Sequence, residues 1–448
     1  MSKILITIDG ASGTGKSSVA TLLAKQLKLP CHDTGAIYRS ITYRALQLAI
    51  PLEEAALQKM LQDFRVHIEH EGEKKRYWIE KEEVTDKIRS HHVNQHVSHV
   101  SSFPCVREFV WFLQKKLGKE QGGVFEGRDM GSVVFPQEAD FKFFLTTDPH
   151  TKALRRFKEL GEEKCGISLE ELEKQMVLRD KQDKERKLGP LICPEGAHVI
   201  DTSSLSLQEV VQTVIQRCST KTWIEKRKSA SKSSLLYKAV LGCSWLIGKL
   251  FFRLKVYGEE HFYAGGAFIA SNHTSFLDPP ILAVAWPEQV HFMARDSLFH
   301  PPWFGRLLRA LNAHPLKREG GDWGAFKKAK KLAEEGHKVI VFPEGRRSTG
   351  NLEKAKRGLA LLMEETEGVC IPAYIEGANR ALEVGKKWPR LFTPICVVFG
   401  PSLMWSQFKH LPREEAHQAF SAAWEKSVYN LKAWVQAGAK GPINPIDI

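Results

Sequence analysis

Apolar residues fall in short dense runs along this chain, separated by polar and glycine-bearing stretches. Ile4, Leu5, Ile6 and Ile8 form a β-branched run that predicts a buried strand. "FRVHIEHEGEKKRYWIEKEEV" alternates around a charged middle and predicts a β-hairpin. "KQMVLRDKQDKER" has helical spacing, with Arg179, Asp183 and Arg186 at steps of four and three on one face. "AFIAS" and "HKVIVF" predict two more buried strands, and "AHPLKREGG" another strand end. Between the halves lies "LLYKAVLGCSWLIGKLFFRLKV", a predicted helix. Leu, Trp, Ile and Phe line one side, and Lys238, Lys249 and Arg253 share the other. Its longest uncharged run, Ala239 to Gly248, is ten residues, against about 20 needed to cross a bilayer. It is therefore expected to lie in a membrane interface, with domain packing as the alternative. Gly242 and Gly248 could break it into two short helices.

The 448 residues suit two or three domains. "STKTWIEKRKSASKSS", Ser219 to Ser234, is Lys- and Ser-rich and predicts a flexible basic linker. The expected division is 1–218, a linker 219–234, and 235–448. Charge follows it: residues 1–218 carry 32 Lys and Arg against 31 Asp and Glu, and residues 219–448 carry 33 against 21. A basic half attracts nucleic acid, anionic lipid or phosphorylated small molecules. The eight cysteines form no C-x-x-C pair, which fits a reducing cytosol and argues against a zinc or redox motif. "MSKILITIDG" does not have the layout of a signal peptide.

The first apolar run ends in Gly10-x-x-x-x-Gly15-Lys16-Ser17, a Walker A pattern in strand–loop–helix context. Its glycines, Gly13 among them, let backbone N–H groups curl around phosphate. Lys16 supplies charge, and Ser17 is the candidate Mg²⁺ ligand. "DTGAIYRS", "FPCVRE", "EGRDMGSVVFP" and "RDKQDKER" follow in order. Two arginines and an aspartate on one helix face beside a P-loop suggest a lid over transferring phosphates. This combination resembles bacterial cytidylate kinase over residues 3–218. The resemblance implies a P-loop nucleoside monophosphate kinase with a parallel sheet, moving the γ-phosphate of ATP to CMP or dCMP. It implies that residues Gly10 to Ser18 hold ATP and Mg²⁺ and that Arg39 and Arg128 bind the CMP phosphate. Ser98, Arg107 and Asp129 would read cytosine, and Asp183 the sugar. Arg155, Arg179 and Arg186 are lid residues, and Lys16 and Asp129 are grouped as catalytic.

In the second half, "NHTSFLDPP" places His273 and Asp278 close enough to pair, yet the same residues suit a plain helix cap. Lys317 and Arg318, and Arg346 and Arg347, fall at two basic strand ends suited to a phosphate. With "IPAYIEG", these blocks resemble glycerolipid acyltransferases of the lysophosphatidate type over residues 235–440. The resemblance implies an α/β acyltransferase domain that moves an acyl chain from acyl-CoA or acyl carrier protein to 1-acylglycerol-3-phosphate. His273 would be the base and Asp278 its orienting carboxylate. Arg318 and Arg347 would hold the acceptor phosphate, with Glu344 and Gly345 shaping the site. Arg346 departs from the family, which usually has a small residue there, and this puts the acceptor in question. The expected protein is a bifunctional enzyme, cytoplasmic and peripheral to the inner face of the membrane, with no nucleic acid partner. The rival for the first half is a nucleotide sensor regulating the second.

Overall fold

The computed structural model describes residues 3–71, 74–160, 168–219, 234–316, 322–348, 352–386 and 388–443. The chain divides into two compact units, residues 1–24 with 29–211, and 25–28 with 212–448. The division falls at 211, inside the helix Leu207–Cys218. Most of the expected linker lies outside the described residues.

In the first unit the strands are β1 (Leu5–Gly10), β2 (Cys31–Asp33), β3 (Val66–Glu71), β4 (Lys74–Ile79), β5 (Glu82–Glu83), β6 (Gly123–Gly127), β7 (Phe141–Thr146) and β8 (His198–Asp201). Five of them form a parallel sheet in the order β2-β6-β1-β7-β8. β1 is central and buried throughout, which is why its sequence is an unbroken apolar run rather than an alternation. Ile6, Ile8, Phe125 and Phe143 are all fully buried there. Each such side chain contributes about 1.5–3 kcal/mol relative to exposure. The helix Lys16–Leu27 buries Val19, Ala20, Leu23, Ala24 and Leu27, one stripe at helical spacing. β3 and β4 pair antiparallel with Ile68 opposite Tyr77, and β5 adds to the edge, so the expected hairpin is present.

In the second unit the strands are β9 (Lys255–Tyr257), β10 (Ala267–Ser271), β11 (Val290–Arg295), β12 (Ala313–Leu316), β13 (Lys338–Val341), β14 (Val369–Glu376), β15 (Cys396–Phe399) and β16 (Leu403–Met404). Their order is β12-β11-β13-β10-β14-β15-β9, with β16 on β14. β10 runs parallel to β13 on one side and β14 on the other, so their carboxyl ends open to the same edge. The helix Arg413–Gln436 covers this sheet with Phe420, Trp424, Val428 and Leu431, and the Trp424 Nε1 donates to the Ala270 carbonyl at 3.1 Å.

Two expectations about the helix after the linker are corrected. It runs unbroken from Leu235 to Phe252, with open space around Gly242. Gly248 instead marks the exit: its carbonyl accepts the Leu254 N–H, and Arg253 turns left-handed at φ 44°. Arg253 thus lies past the helix and does not extend the Lys238–Lys249 stripe. By length and composition alone the helix is also able to cross a membrane, with a mean hydropathy of 1.4 and only 11% burial. Counting uncharged residues excluded this because two lysines interrupt the run. They sit near its two ends, where long side chains reach toward headgroups.

Candidate active sites

The phosphate loop of the first unit is built on backbone that only glycine takes easily. Gly13 has φ +79°, and a Cβ there would meet Met176 Cε at 2.7 Å. Thr14 braces the loop by donating to the Ala11 carbonyl at 2.9 Å, and the Lys16 ammonium donates to the same carbonyl. Ser17 and Ser18 stand exposed in the first turn of their helix, positioned for a phosphate-bound Mg²⁺. At the end of β1, Asp9 is fully buried and accepts the Met130 and Gly131 N–H groups at 2.8 and 2.7 Å. Burial nevertheless pushes its carboxyl up to about 7.

Burial also draws the Lys16 ammonium down to about 8, and the nearby Arg128 charge adds to this. A triphosphate beside Lys16 favours the charged form and raises that value. ATP binding at a pH of about 8.5 is therefore expected to take up protons. Calorimetric titration in two buffers of different ionisation heat reads this directly, and equal apparent heats would refute it.

Facing the loop is a cluster of cations. Arg39 comes from the helix Thr34–Gln47, Arg128 from the turn after β6, Arg179 from the helix Leu169–Glu185, and Arg186 caps that last helix. Asp183 lies between them: Arg128 Nε is 2.5 Å from its Oδ2, and Arg186 Nη2 is 3.0 Å from its Oδ1. Desolvation lowers the pKa of Arg39; Asp33 opposes this, and Arg89, Arg156 and Arg128 add to it. So many cations around so few carboxylates define an anion site. Arg39 meanwhile donates to Asn94 Oδ1.

The lid residue Arg155 has partners of its own. Arg155 donates to the Thr202 hydroxyl and carbonyl at 3.0 and 2.6 Å, and Thr202 in turn reaches the Thr14 carbonyl, so Arg155 braces a turn against the loop. Its neighbour Arg156, which sequence reasoning missed, is the one whose charge acts on both Arg39 and Arg179. Adjacent arginines on a helix point about 100° apart, and only the fold says which faces the site.

Arg107 and Asp129 are buried together, with Nη1 to Oδ2 at 2.9 Å, and Trp111 Nε1 donates to the same oxygen at 3.2 Å. Asp129 was expected among the catalytic groups. Its carboxylate faces Arg107 and Trp111. Gly189, at φ +56°, closes over the pair: a Cβ there would meet Arg107 Nη1 and Asp129 Oδ2, each at 2.4 Å. Ser98 is exposed on the helix His91–Val100, and no described contact brings it to this pair.

In the second unit the carboxyl end of β10 carries the His273 turn. The buried Asn272 side chain extends the strand ladder, donating to the Ile375 carbonyl at 3.1 Å and accepting its N–H at 2.8 Å. His273 Nδ1 lies 2.8 Å from Asp278 Oδ2, and the ring stacks on Phe342 at 4.1 Å. That carboxylate oxygen also accepts the Thr274 and Ser275 N–H groups at 2.7 and 2.8 Å. Asp278 therefore organises the turn and orients the histidine at once.

The turn after β13 closes on this one, with the Ser348 N–H donating to the His273 carbonyl at 2.8 Å. Arg347 sits over Phe276, 3.6 Å from guanidinium carbon to ring centroid, which keeps a cation beside the histidine. Gly345 takes φ +70° with Lys356 packed where a Cβ would be. Glu344 is buried, and neither carboxylate oxygen meets a donor in good hydrogen-bond geometry among the described residues. Burial pushes its carboxyl up to about 7; the His273 amide and Ser348 hydroxyl pull the other way without closing a bond. The folded state holds that proton more tightly than the unfolded chain, so stability falls as pH rises from 4.5 to about 7. Arg346, the departure, points outward to Glu353 at 2.8 Å. Arg318 lies outside the described residues.

These two geometries define classes: a P-loop phosphotransferase facing a second anion site, and a histidine–aspartate transferase at parallel strand ends. The family model for cytidylate kinase matches residues 6–220, and that for acyltransferase matches residues 253–376. A cytidylate kinase of Exiguobacterium sp. is 42% identical over 210 residues, 47% of this chain and 93% of that protein. A bifunctional pantoate ligase/cytidylate kinase of Synechococcus sp. is 41% identical over 215 residues, covering 47% of this chain and 40% of that protein. The solved structure of the 1-acyl-sn-glycerophosphate acyltransferase PlsC from Thermotoga maritima aligns with 50% of this chain and 98% of that one, at 21% identity and a TM-score of 0.37. The chain belongs to the cytidylate kinase family and carries an acyltransferase domain fused behind the kinase.

Proposed function

We propose that the kinase half converts CMP and dCMP to their diphosphates with ATP. We further propose that the second half acylates 1-acylglycerol-3-phosphate to phosphatidate at the inner membrane surface. The kinase reading is carried by the arginines around Asp183, which supply a receptor for a second phosphate opposite Lys16. Ser17 and the loop would hold Mg²⁺ with ATP, and the ion would offset phosphate charge. Arg39 and Arg128 would align the acceptor phosphate, while Arg179, Arg186 and Arg156 neutralise charge as transfer proceeds.

In the second half the His273–Asp278 contact supports a base for a weak nucleophile. His273 would take the glycerol hydroxyl proton as the oxygen attacks the thioester carbonyl. The C–S bond then breaks, and the imidazolium returns its proton to the leaving thiolate. The acyl-enzyme of a serine triad is not needed, because the substrate hydroxyl replaces the serine. Arg347 would hold the acceptor phosphate, a role also proposed for Arg318.

The test uses full-length protein with anionic vesicles carrying lysophosphatidate, and acyl-CoA or acyl carrier protein as labelled donor. A parallel assay uses CMP, dCMP or UMP with ATP and Mg²⁺. Formation of phosphatidate and of CDP and dCDP is expected. Acylation of a different lysophospholipid in preference would overturn the acceptor assignment, and a preference for UMP would overturn the nucleotide.

A further inference from the structure

The segment after the helix Ala378–Ala381 has no part in the chemistry above, yet its surface is unusual. Residues 382–386 and 388–393 form a loop, closed at its base by the Arg390 N–H donating to the Ala381 carbonyl at 2.7 Å. Four large apolar side chains on it face solvent: Val384, Trp388, Leu391 and Phe392, with Trp388 85% exposed. Phe392 takes φ +63°, a region unfavourable to an aromatic residue. Such a conformation persists only when its surroundings hold it. Here the Phe392 N–H donates to the Phe251 carbonyl at 2.6 Å and the Ile395 N–H to the Phe252 carbonyl at 2.9 Å. The Phe251 and Phe392 rings approach to 6.1 Å. The loop is thus fastened to the end of the helix Leu235–Phe252, whose Trp245, Leu246, Ile247, Leu250 and Phe251 are also exposed. At the loop's root, the Ser275 hydroxyl donates to the Leu382 carbonyl at 2.9 Å, and Ser275 belongs to the turn that carries His273 and Asp278.

Scattered exposed apolar residues are ordinary, but a contiguous set marks an interaction surface. Its charge indicates the partner. From Arg380 to Thr393 the sequence has four basic residues and one acidic, and Glu383 pairs with Arg390 at 3.1 Å. Aromatic and basic residues side by side, continuous with a helix apolar enough to enter a bilayer, suit the headgroup zone of an anionic membrane.

We propose that this loop, through its described residues 388–393, is a second membrane-contact element. It inserts Trp388, Leu391 and Phe392 beside the helix Leu235–Phe252 and sets the mouth of the His273 site at the lipid surface. This rests on the membrane-surface reading of that helix. The acceptor lipid then reaches His273 by lateral movement, keeping its acyl chain in the bilayer.

The test compares three full-length proteins on vesicles of phosphatidylcholine and phosphatidylglycerol: native, the loop variant Trp388→Ser with Phe392→Ser, and a helix variant Trp245→Ser, Leu246→Ser and Leu250→Ser. Co-sedimentation gives the partition, and acylation of a short-chain, water-soluble acceptor without vesicles controls for folding of the second unit. The loop variant is expected to partition about tenfold more weakly and to lose vesicle-presented acylation in step, with acylation of the soluble acceptor unchanged. Trp388→Phe is expected to keep binding but lose part of the fluorescence quenching by lipids brominated near the headgroup. If the helix variant is released while the loop variant binds as native, the loop proposal is overturned and the helix reading stands. If neither variant changes partition, both are overturned.

Discussion

Replacing His273 by alanine is expected to lower acyl transfer at least about 10³-fold while CMP phosphorylation continues at its native rate. With Nδ1 turned to Asp278, the imidazole presents its other nitrogen as the acceptor for the hydroxyl proton. Asp278 is fully buried, and its Oδ2 accepts three donors, one from the imidazole and two from backbone. Asp278→Asn therefore tests orientation separately from presence. An amide oxygen can still accept the Thr274 and Ser275 N–H groups, but it no longer stabilises an imidazolium, and a loss of roughly 10²–10⁴ is expected. Both are read as kcat/KM with labelled donor and vesicle-presented acceptor. A His273→Ala protein retaining a tenth of native activity would sink the base assignment and leave the turn as a helix cap.

Asp183→Ala is expected to reduce CMP phosphorylation by roughly 10²–10³ in kcat/KM, with acyl transfer untouched. The carboxylate separates Arg128 from Arg186 and holds both toward the loop. Without it, half-buried cations face one another with their main counter-charge gone. Partial exposure limits the stability cost to about 2 kcal/mol, below that of a fully buried pair. For a unit of this size that is a fall of about 4–8 °C in Tm. Inorganic phosphate should restore much of that loss by re-supplying negative charge to the cluster. An unchanged Tm together with unchanged kinetics would remove Asp183 from the site.

How much of this was legible in advance depended on how local each feature is. The phosphate loop could be read because strand, glycines, Lys16 and helix start are contiguous, and each constrains the next. The His273 turn could be read as two possibilities only. The spacing does not reveal that the neighbouring strand delivers Phe342 and Ser348 to the same place. Arg156 stayed hidden because its relevance arises where separate helices converge, and one residue's rotation about a helix exchanges it with Arg155. Asp129 was grouped as catalytic through the family resemblance. Its partner is Arg107, which belongs to another element, the helix Pro104–Gln121. The possible break of the Leu235–Phe252 helix at Gly242 or Gly248 was left open by the sequence, and the backbone runs through both. Arg346 looked like an added site charge, and its pairing to Glu353 depends on a loop path that spacing does not reveal.

Asn272 gives the two chemistries different tempos. Because its amide stands in for a strand residue, His273 begins where the ladder ends, with no hinge between sheet and base. On the proposed function the base stays put, and the acceptor lipid comes to it. The phosphate-handling arginines arise from separate helices and a turn, so their arrangement involves motion of one element against another. Solvent viscosity should therefore slow nucleotide turnover, whereas acyl transfer should respond instead to the fluidity and packing of the bilayer that supplies it.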